Sequence, residues 1–530
     1  MFFTQASYAQ GSGSDNSLLI YSLIGLGVVL VIGAILSLTD NLMQVEAKQA
    51  GMDTSKENFS LFPDLGSLIK GDQPAHTKGA SYKKLKKGFS INLSGKINDN
   101  TIHDASVNRY AVRPTNFRGI APIPKMLVEE GAEVKAGDEL FYDKSNPSIK
   151  YVAPVSGEVV EVKRGAKRAI TEVIILADKD ITYRKHEVPS LDGERSAIVD
   201  FLMESGAWTH LVQRPFDIVA DPTETPKNVF ISTFDTSPLA LDLNVVVDGQ
   251  EESFQKGISV LSALTSGSVH LGLNGDKENL PHAAFTGAAD AEKHYFAGPH
   301  PAGNVGVQMH HTDPINPTDV VWTLKVEDVI TIGKLFLTGE YHAERIVGVA
   351  GTQVVQPKMY RTYLGASIGD LTADNIADGN NRIISGNVLT GRTVDGDDFL
   401  DARSNVVSVI KEGNEHELFG WLLPIKPRPS ISKTFPNFLM PGMEFEASSN
   451  THGEKRAFVV TGQYESVLPM DIYPQHLMKS IMANDFERME GLGLAEMSEE
   501  DIALCEFVCT SKMPLQEILR EGLDTMRDQM

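Results

Sequence analysis

Cysteine is nearly absent: Cys505 and Cys509 are the two thiols in 530 residues. A pair at helical spacing supplies neither a four-thiolate iron–sulfur cluster nor a disulfide framework, and it fits a reducing compartment. Positive charge is also short. Lys and Arg total 48 against 70 Asp and Glu, a net charge of −22. So acidic a chain repels phosphate backbones, which excludes nucleic acid as a partner. No G-x-G-x-x-G stands at a strand–helix junction, so no nucleotide site is inferred. Nucleophile–base pairs and paired carboxylates are missing too, and Ser156 in PVSGE is a turn residue outside any nucleophile elbow. Long disorder is not expected at 42% hydrophobic and 22% charged residues.

One long uncharged run is present. Residues 17–38 read SLLIYSLIGLGVVLVIGAILSL. At 1.5 Å per residue this makes roughly 33 Å of helix, enough to span a bilayer core. No Lys or Arg precedes it, and Lys48, Lys56, Lys70, Lys78, Lys83, Lys84, Lys86 and Lys87 follow. The charge asymmetry predicts a single-pass helix with residues 1–16 outside and the bulk of the chain in the cytoplasm, beginning with a linker over 39–85.

The remainder is too long for one core and divides into four domains of mixed α+β class. Residues 86–182 carry VEEGAEVKAGDELFYDK and YVAPVSGEVVEV, with Gly131, Gly137, Pro154 and Gly157 punctuating short apolar runs. These half-motifs resemble the barrel-sandwich fold of biotinyl and lipoyl domains. Lys144 lies near the tip between the halves, where DKSNPSIK is too long for a carrier hairpin, so it reads as a surface lysine. Residues 183–343 alternate strands and helices as a Rossmann-like α/β layer: strand KNVFIST (227–233), helix SFQKGISVLSAL (253–264), strand SVHLGL (268–273), then a helix from Val326 closed by Gly339. Residues 344–463 hold short glycine-broken strands of β-grasp (SLBB-like) type. Residues 464–530 turn helical, with a capping box from Ser498 to Asp501 and a last helix after Pro514. The cysteines on the first of these helices read as small buried hydrophobes.

Three stretches are candidates for chemistry. HYFAGPHPAGNVGVQMHH (294–311) reads as a loop with four histidines. Glycines let a ligand approach the backbone, and histidines can donate to a carbonyl or relay protons. Metal is not assigned, because adjacent His310 and His311 point apart and no acid–histidine helix spacing accompanies them. GAWTHLVQRPFD (206–217) gathers Trp208, Arg214 and Phe216 after a helix. FDTSPLALD (234–242) follows a strand at the end where open α/β sheets bind ligands.

YVAPVSGEVVEVKRGAKRAI, SGAWTHLVQRPF, FDTSPLA, VLSALTSG, FAGPHPAGNVG, GKLFLTGE, RIISGNVLTG, ELFGWLLP and DIALCEFVC, in that order, resemble the NqrA family of the sodium-translocating NADH:quinone oxidoreductase. The resemblance implies one subunit of a six-subunit bacterial inner-membrane complex that oxidises NADH, reduces ubiquinone or menaquinone and exports sodium. It implies that this subunit holds no redox cofactor tightly. FAD, FMN, riboflavin and iron–sulfur centres belong to the other five subunits, NqrB to NqrF, and NqrA docks chiefly on the membrane-embedded NqrB. The family is also similar to the flavin-bearing subunit of respiratory complex I. There the stretch matching 206–217 is a glycine-rich flavin loop and the C-terminal helices hold cluster cysteines. Here Trp208 and Phe216 replace glycines, and two cysteines remain. No catalytic, cofactor-binding or metal residue is expected, and Arg214, Phe216, His300 and His310 are the candidates for quinone or partner contact. The family starts near Lys87-Gly88, so the first eighty or so residues are an addition, read as a membrane tether. Two alternatives are an efflux-pump adaptor, disfavoured because the half-motifs are only a few residues apart, and a biotin carrier, disfavoured by the setting of Lys144.

Overall fold

The computed structural model describes residues 25–28, 31, 35, 39 and 73–529, apart from 122, 417–426, 433–439, 441 and 459–461. The expected membrane span over 17–38 therefore lies largely outside the described residues. Those of its members that are described are helical and exposed. Among the described residues no helix is long and apolar enough to cross a membrane. The ELFGWLLP stretch is likewise outside them.

From His76 onward the chain forms one compact unit, built around a seven-stranded sheet. Its strands are β1 (Ser81–Lys84), β2 (Val212–Arg214), β3 (Ile218–Val219), β4 (Asn228–Ser232), β5 (Val269–Asn274), β6 (Glu292–Ala297) and β7 (Val321–Leu324), in the order β1-β6-β5-β4-β7-β2-β3. The first five positions in that order run parallel, and β2 and β3 close the edge antiparallel. Strands β4, β5 and β7 are almost wholly buried and read as largely apolar runs, as parallel strands covered on both faces must, while β6 is buried over its second half. Helix α1 (Arg195–Glu204) leads into the β2 edge. Helices α2 (Glu251–Leu264) and α4 (Val326–Thr338) pack together on the sheet, and α3 (Val305–Thr312) lies against β4. The α2–α4 contact is close because it is made at glycines. A Cβ on Gly257 would strike the Val329 carbonyl, and one on Gly333 would strike the Ser253 carbonyl. Gly339, at φ +75°, ends α4 with its N–H on the Leu335 carbonyl.

Residues 109–177 form two facing sheets of four and three strands around Leu140, Phe141, Tyr151, Val159, Val173 and Ile175. A six-stranded sheet built mainly from 344–411 follows. The C-terminal helices, among them α5 (Glu499–Val508) and α6 (Leu515–Gln529), share a separate core in which Leu515, Ile518, Leu519 and Leu523 are buried along one face.

Backbone pairing crosses two domain boundaries read from sequence. The linker assigned to 39–85 ends in regular structure, because Ser81–Lys84 is β1, paired parallel with β6. The barrel-sandwich domain assigned from 86 begins with residues that pair outside it. Leu93 bridges to Phe445, and Ile102–Asp104 joins the edge of the six-stranded sheet beside 359–361. Backbone hydrogen bonds of three separate sheets or bridges thus claim a stretch of 24 residues, 81–104, before the chain enters the domain expected to contain it.

Candidate functional site

In the seven-stranded sheet the chain moves outward from β4 through β5 to β6, then returns to place β7 on the other side of β4. The crevice beyond the carboxyl ends of β4 and β7 is therefore the topological switch point, where open α/β sheets bind ligands. Two cavities meet there. One, of about 140 Å³, is lined by Ser232, Phe234, Asp235 and Ser237 after β4 and by Lys325, Val326 and Glu327 after β7, with His300 and Asn304. The other, of about 540 Å³, opens toward Arg118, Arg214, Asp217, Arg403 and Arg520. Asp235, Lys325 and Glu500 belong to both linings, so the two make one groove.

The small end of the groove leaves polar atoms unanswered. His300 is 3% exposed and its Nε2 is buried with no hydrogen-bonding partner. The same holds for Ser237 Oγ and for Glu327 Oε2, whose Oε1 takes the Asn405 side-chain N–H at 3.0 Å. Such atoms cost free energy unless something pairs with them. Thr236 Oγ1 accepts the Gly303 N–H at 3.0 Å and lies 3.1 Å from His300 Nδ1. In the tautomer whose Nδ1 accepts the threonine hydrogen, the imidazole N–H stands on Nε2 as a donor. Burial pushes this imidazole down to about 4, while Asp235 pulls it partly back. It is a neutral donor at neutral pH.

The wide end is saturated with charge. Arg214 is 1% exposed and meets Asp217 at 3.4 Å, Glu500 at 3.3 Å and Asp501 at 3.4 Å. Burial opposes its charge, but these carboxylates outweigh burial and hold the guanidinium protonated. Burial and then Asp501 raise the Glu500 carboxyl, with Arg214 opposing. Phe216 and Asp217 both take left-handed backbone, at φ +82° and +56°, a conformation that non-glycine residues hold only under constraint. Arg520 supplies part of it by donating to the Phe216 carbonyl at 2.9 Å.

The four residues singled out in the sequence do not converge. Arg214 and His300 line the groove from its two ends. Phe216 packs against the C-terminal core. His310 is used up elsewhere: Nδ1 meets Glu496 Oε2 at 2.7 Å and Nε2 accepts the Asp471 backbone N–H at 3.0 Å. The 294–311 stretch is also not one loop. His294 is in β6 and His310 and His311 are in α3, with a turn between. Glu327, Lys325, Arg403 and Glu500 were missed. The apolar run VVWTL before Lys325 was the available signal, because it marks a second strand ending at the crevice. The corner at Trp208 is filled: the indole is fully buried, donates to the Ala220 carbonyl at 2.7 Å and meets Trp322 edge-on at 5.3 Å.

Three family models match the chain: the NqrA N-terminal barrel-sandwich hybrid domain over 83–178, the NqrA second alpha/beta domain over 193–341, and the NQRA C-terminal domain over 346–396. The NqrA protein of the Na(+)-translocating NADH-quinone reductase of Vibrio alginolyticus is 39% identical over 446 residues, 83% of this chain and 98% of that one. That of Yersinia pestis bv. Antiqua (strain Angola) is 39% identical over 452 residues, with the same coverage. Among solved structures, an NAD+-reducing [NiFe]-hydrogenase in the H2-reduced state aligns at a TM-score of 0.32 and 12% identity, over 42% of this chain and 48% of that one. That likeness is too slight to bear on fold or function. Identity of this extent over nearly the whole of the relatives removes the efflux-adaptor and biotin-carrier alternatives, and the chain belongs to the NqrA family of the Na(+)-translocating NADH-quinone reductase.

Proposed function

We propose that this subunit works without a tightly held redox carrier of its own and offers the groove beyond β4 and β7 to a quinone headgroup at its junction with the membrane-embedded NqrB. One observation carries the reading: His300 Nε2, Ser237 Oγ and Glu327 Oε2 are buried without partners around one cavity. A quinone oxygen is an acceptor that fits the His300 N–H and the serine hydroxyl, and such donors polarise a carbonyl as it gains electrons. Electrons come from a centre on a neighbouring subunit. Two features support the absence of a resident carrier. Trp208 fills the corner where the resemblance places a flavin loop, and Cys505 and Cys509 are buried thiols too few for a four-thiolate cluster. Burial raises the Cys505 thiol far above its ordinary range, so it is not a ready thiolate ligand.

Residues 17–38 complete the proposal as a single membrane pass with the N-terminus outside, which raises the local concentration of this subunit beside NqrB. Two experiments test it. His300→Ala and Ser237→Ala in the intact complex are expected to raise the quinone KM and shift inhibitor sensitivity; unchanged values would make the groove structural. Removing residues 1–80 is expected to lower retention of this subunit in the detergent-purified complex, and full retention would remove the tether.

A further inference from the structure

Away from the groove, at the opposite end of β5 and β6, parallel pairing sets His270 beside Glu292 and Gly272 beside His294. The alternation of a strand then places all three functional side chains on one face. His270 Nδ1 lies 3.0 Å from His294 Nε2, and Glu292 Oε2 lies 3.7 Å and 4.0 Å from those nitrogens. Two ligands bound to zinc at about 2.1 Å in tetrahedral geometry stand about 3.4 Å apart. The observed triangle brackets that spacing, one side shorter and two longer, by up to about 0.6 Å.

We propose that His270, Glu292 and His294 form a binding site for a first-row divalent cation, zinc by the chemistry of its donors, with the remaining coordination positions left to water. Supporting contacts orient each ligand. The His270 ring lies flat on Phe230, with centroids 4.6 Å apart and planes 19° off parallel. The Ser268 hydroxyl donates to the second carboxylate oxygen of Glu292 at 2.8 Å. Partners of this kind fix ligand orientation and are worth roughly 10- to 100-fold in metal affinity. Glu292 is largely exposed, which gives the ion an entry path. The surrounding charges oppose one another: Asp313 faces His270, and Lys83 faces His294. Without an ion, one ring N–H bridges to the other ring's lone pair; with an ion bound, both facing nitrogens give lone pairs and that proton moves to the other nitrogen of its own ring. The site has three protein ligands and is open, unlike the closed four-ligand sites that hold folds together.

Zinc titration of the full-length, chelator-treated protein, read by calorimetry and by competition with a chromogenic chelator, tests the proposal. One zinc per chain is expected, with affinity falling at least about tenfold in Glu292→Gln and in His294→Ala. Glu292→Gln changes an exposed side chain and keeps the test valid should a histidine variant unfold. A second candidate cluster, Asp248, Glu251 and His282, is more exposed, and His282→Gln is expected to leave the titration unchanged. Cobalt in place of zinc is expected to give the visible spectrum of a low-coordinate nitrogen–oxygen site, lost in the same two variants. Failure to bind zinc at one equivalent, or binding indifferent to Glu292→Gln and His294→Ala, overturns the proposal.

Discussion

The two ends of the groove differ in how buried polarity is answered, one by ion pairs and the other by a cavity. Around Arg214 a buried cation is surrounded by Asp217, Glu500 and Asp501. Around His300 three buried polar atoms have nothing to bond. The first arrangement holds protein to protein, because Asp501 and Glu500 come from α5 and Arg214 from β2. The second spends folding energy on atoms that a small polar ligand could satisfy, with an acceptor for the serine hydroxyl and an imidazole N–H and a donor for Glu327 Oε2. Arg214 Nε and Asp501 Oδ1 also lack hydrogen bonds, but their groups are held in ion pairs, whereas the bare atoms around His300 face a small cavity.

Substitutions test that contrast, and the largest effect belongs to the saturated end. Arg214→Ala strands buried carboxylates and is expected to cost about 4 kcal/mol of stability, measured by chemical denaturation. Arg214→Lys is expected to recover little, because one ammonium cannot serve three carboxylates in place of a planar fork. A mild effect for Arg214→Ala would make the two ends alike and end the contrast.

His300 comes next, through pH. Its folded-state value near 4 lies below its ordinary 6.5, so the unfolded chain binds the extra proton first. The stabilisation is complete above about pH 6.5 and is lost as pH falls toward 4, amounting to about 3 kcal/mol at 1.36 kcal/mol per unit. Denaturation midpoints between pH 7 and 4 are expected to fall less steeply in His300→Gln than in the parent chain. His310→Ala sharpens the comparison from outside the groove. It frees Glu496 and the Asp471 N–H, so a loss of about 2 kcal/mol is expected with an unaltered quinone KM. Ser237→Ala is the smallest in stability, within about 0.5 kcal/mol, because it removes a hydroxyl that bonds to nothing. Its effect belongs in quinone kinetics.

How far the sequence reveals this depends on the length of the signal. KNVFIST, SFQKGISVLSAL and the helix closed by Gly339 stand where their periodicity puts them. Ser498 and Asp501 form the expected reciprocal cap. The strand-end rule also picked out 234–242, which supplies Phe234, Asp235 and Ser237 to the groove. Ser81–Lys84 and Ile102–Asp104 were illegible because SYKK and IHD are short and polar, and their pairing is decided by distant backbone edges. Glu327 was hidden for another reason: an acid in a helix's first turn is ordinary there. His270 and His294 are 24 residues apart, and it is strand register that brings them together.

The threading of residues 81–104 has a practical consequence for anyone trimming this protein. A cut after Ala80 leaves β1 in place. A cut at Lys87 strips it from β6, and one beyond Asp104 also bares the strand at 358–363. Each bared strand presents a row of free amides and carbonyls to the next molecule, the usual route to sticky, self-templating aggregates. The length removed matters less than which zipper is left half open.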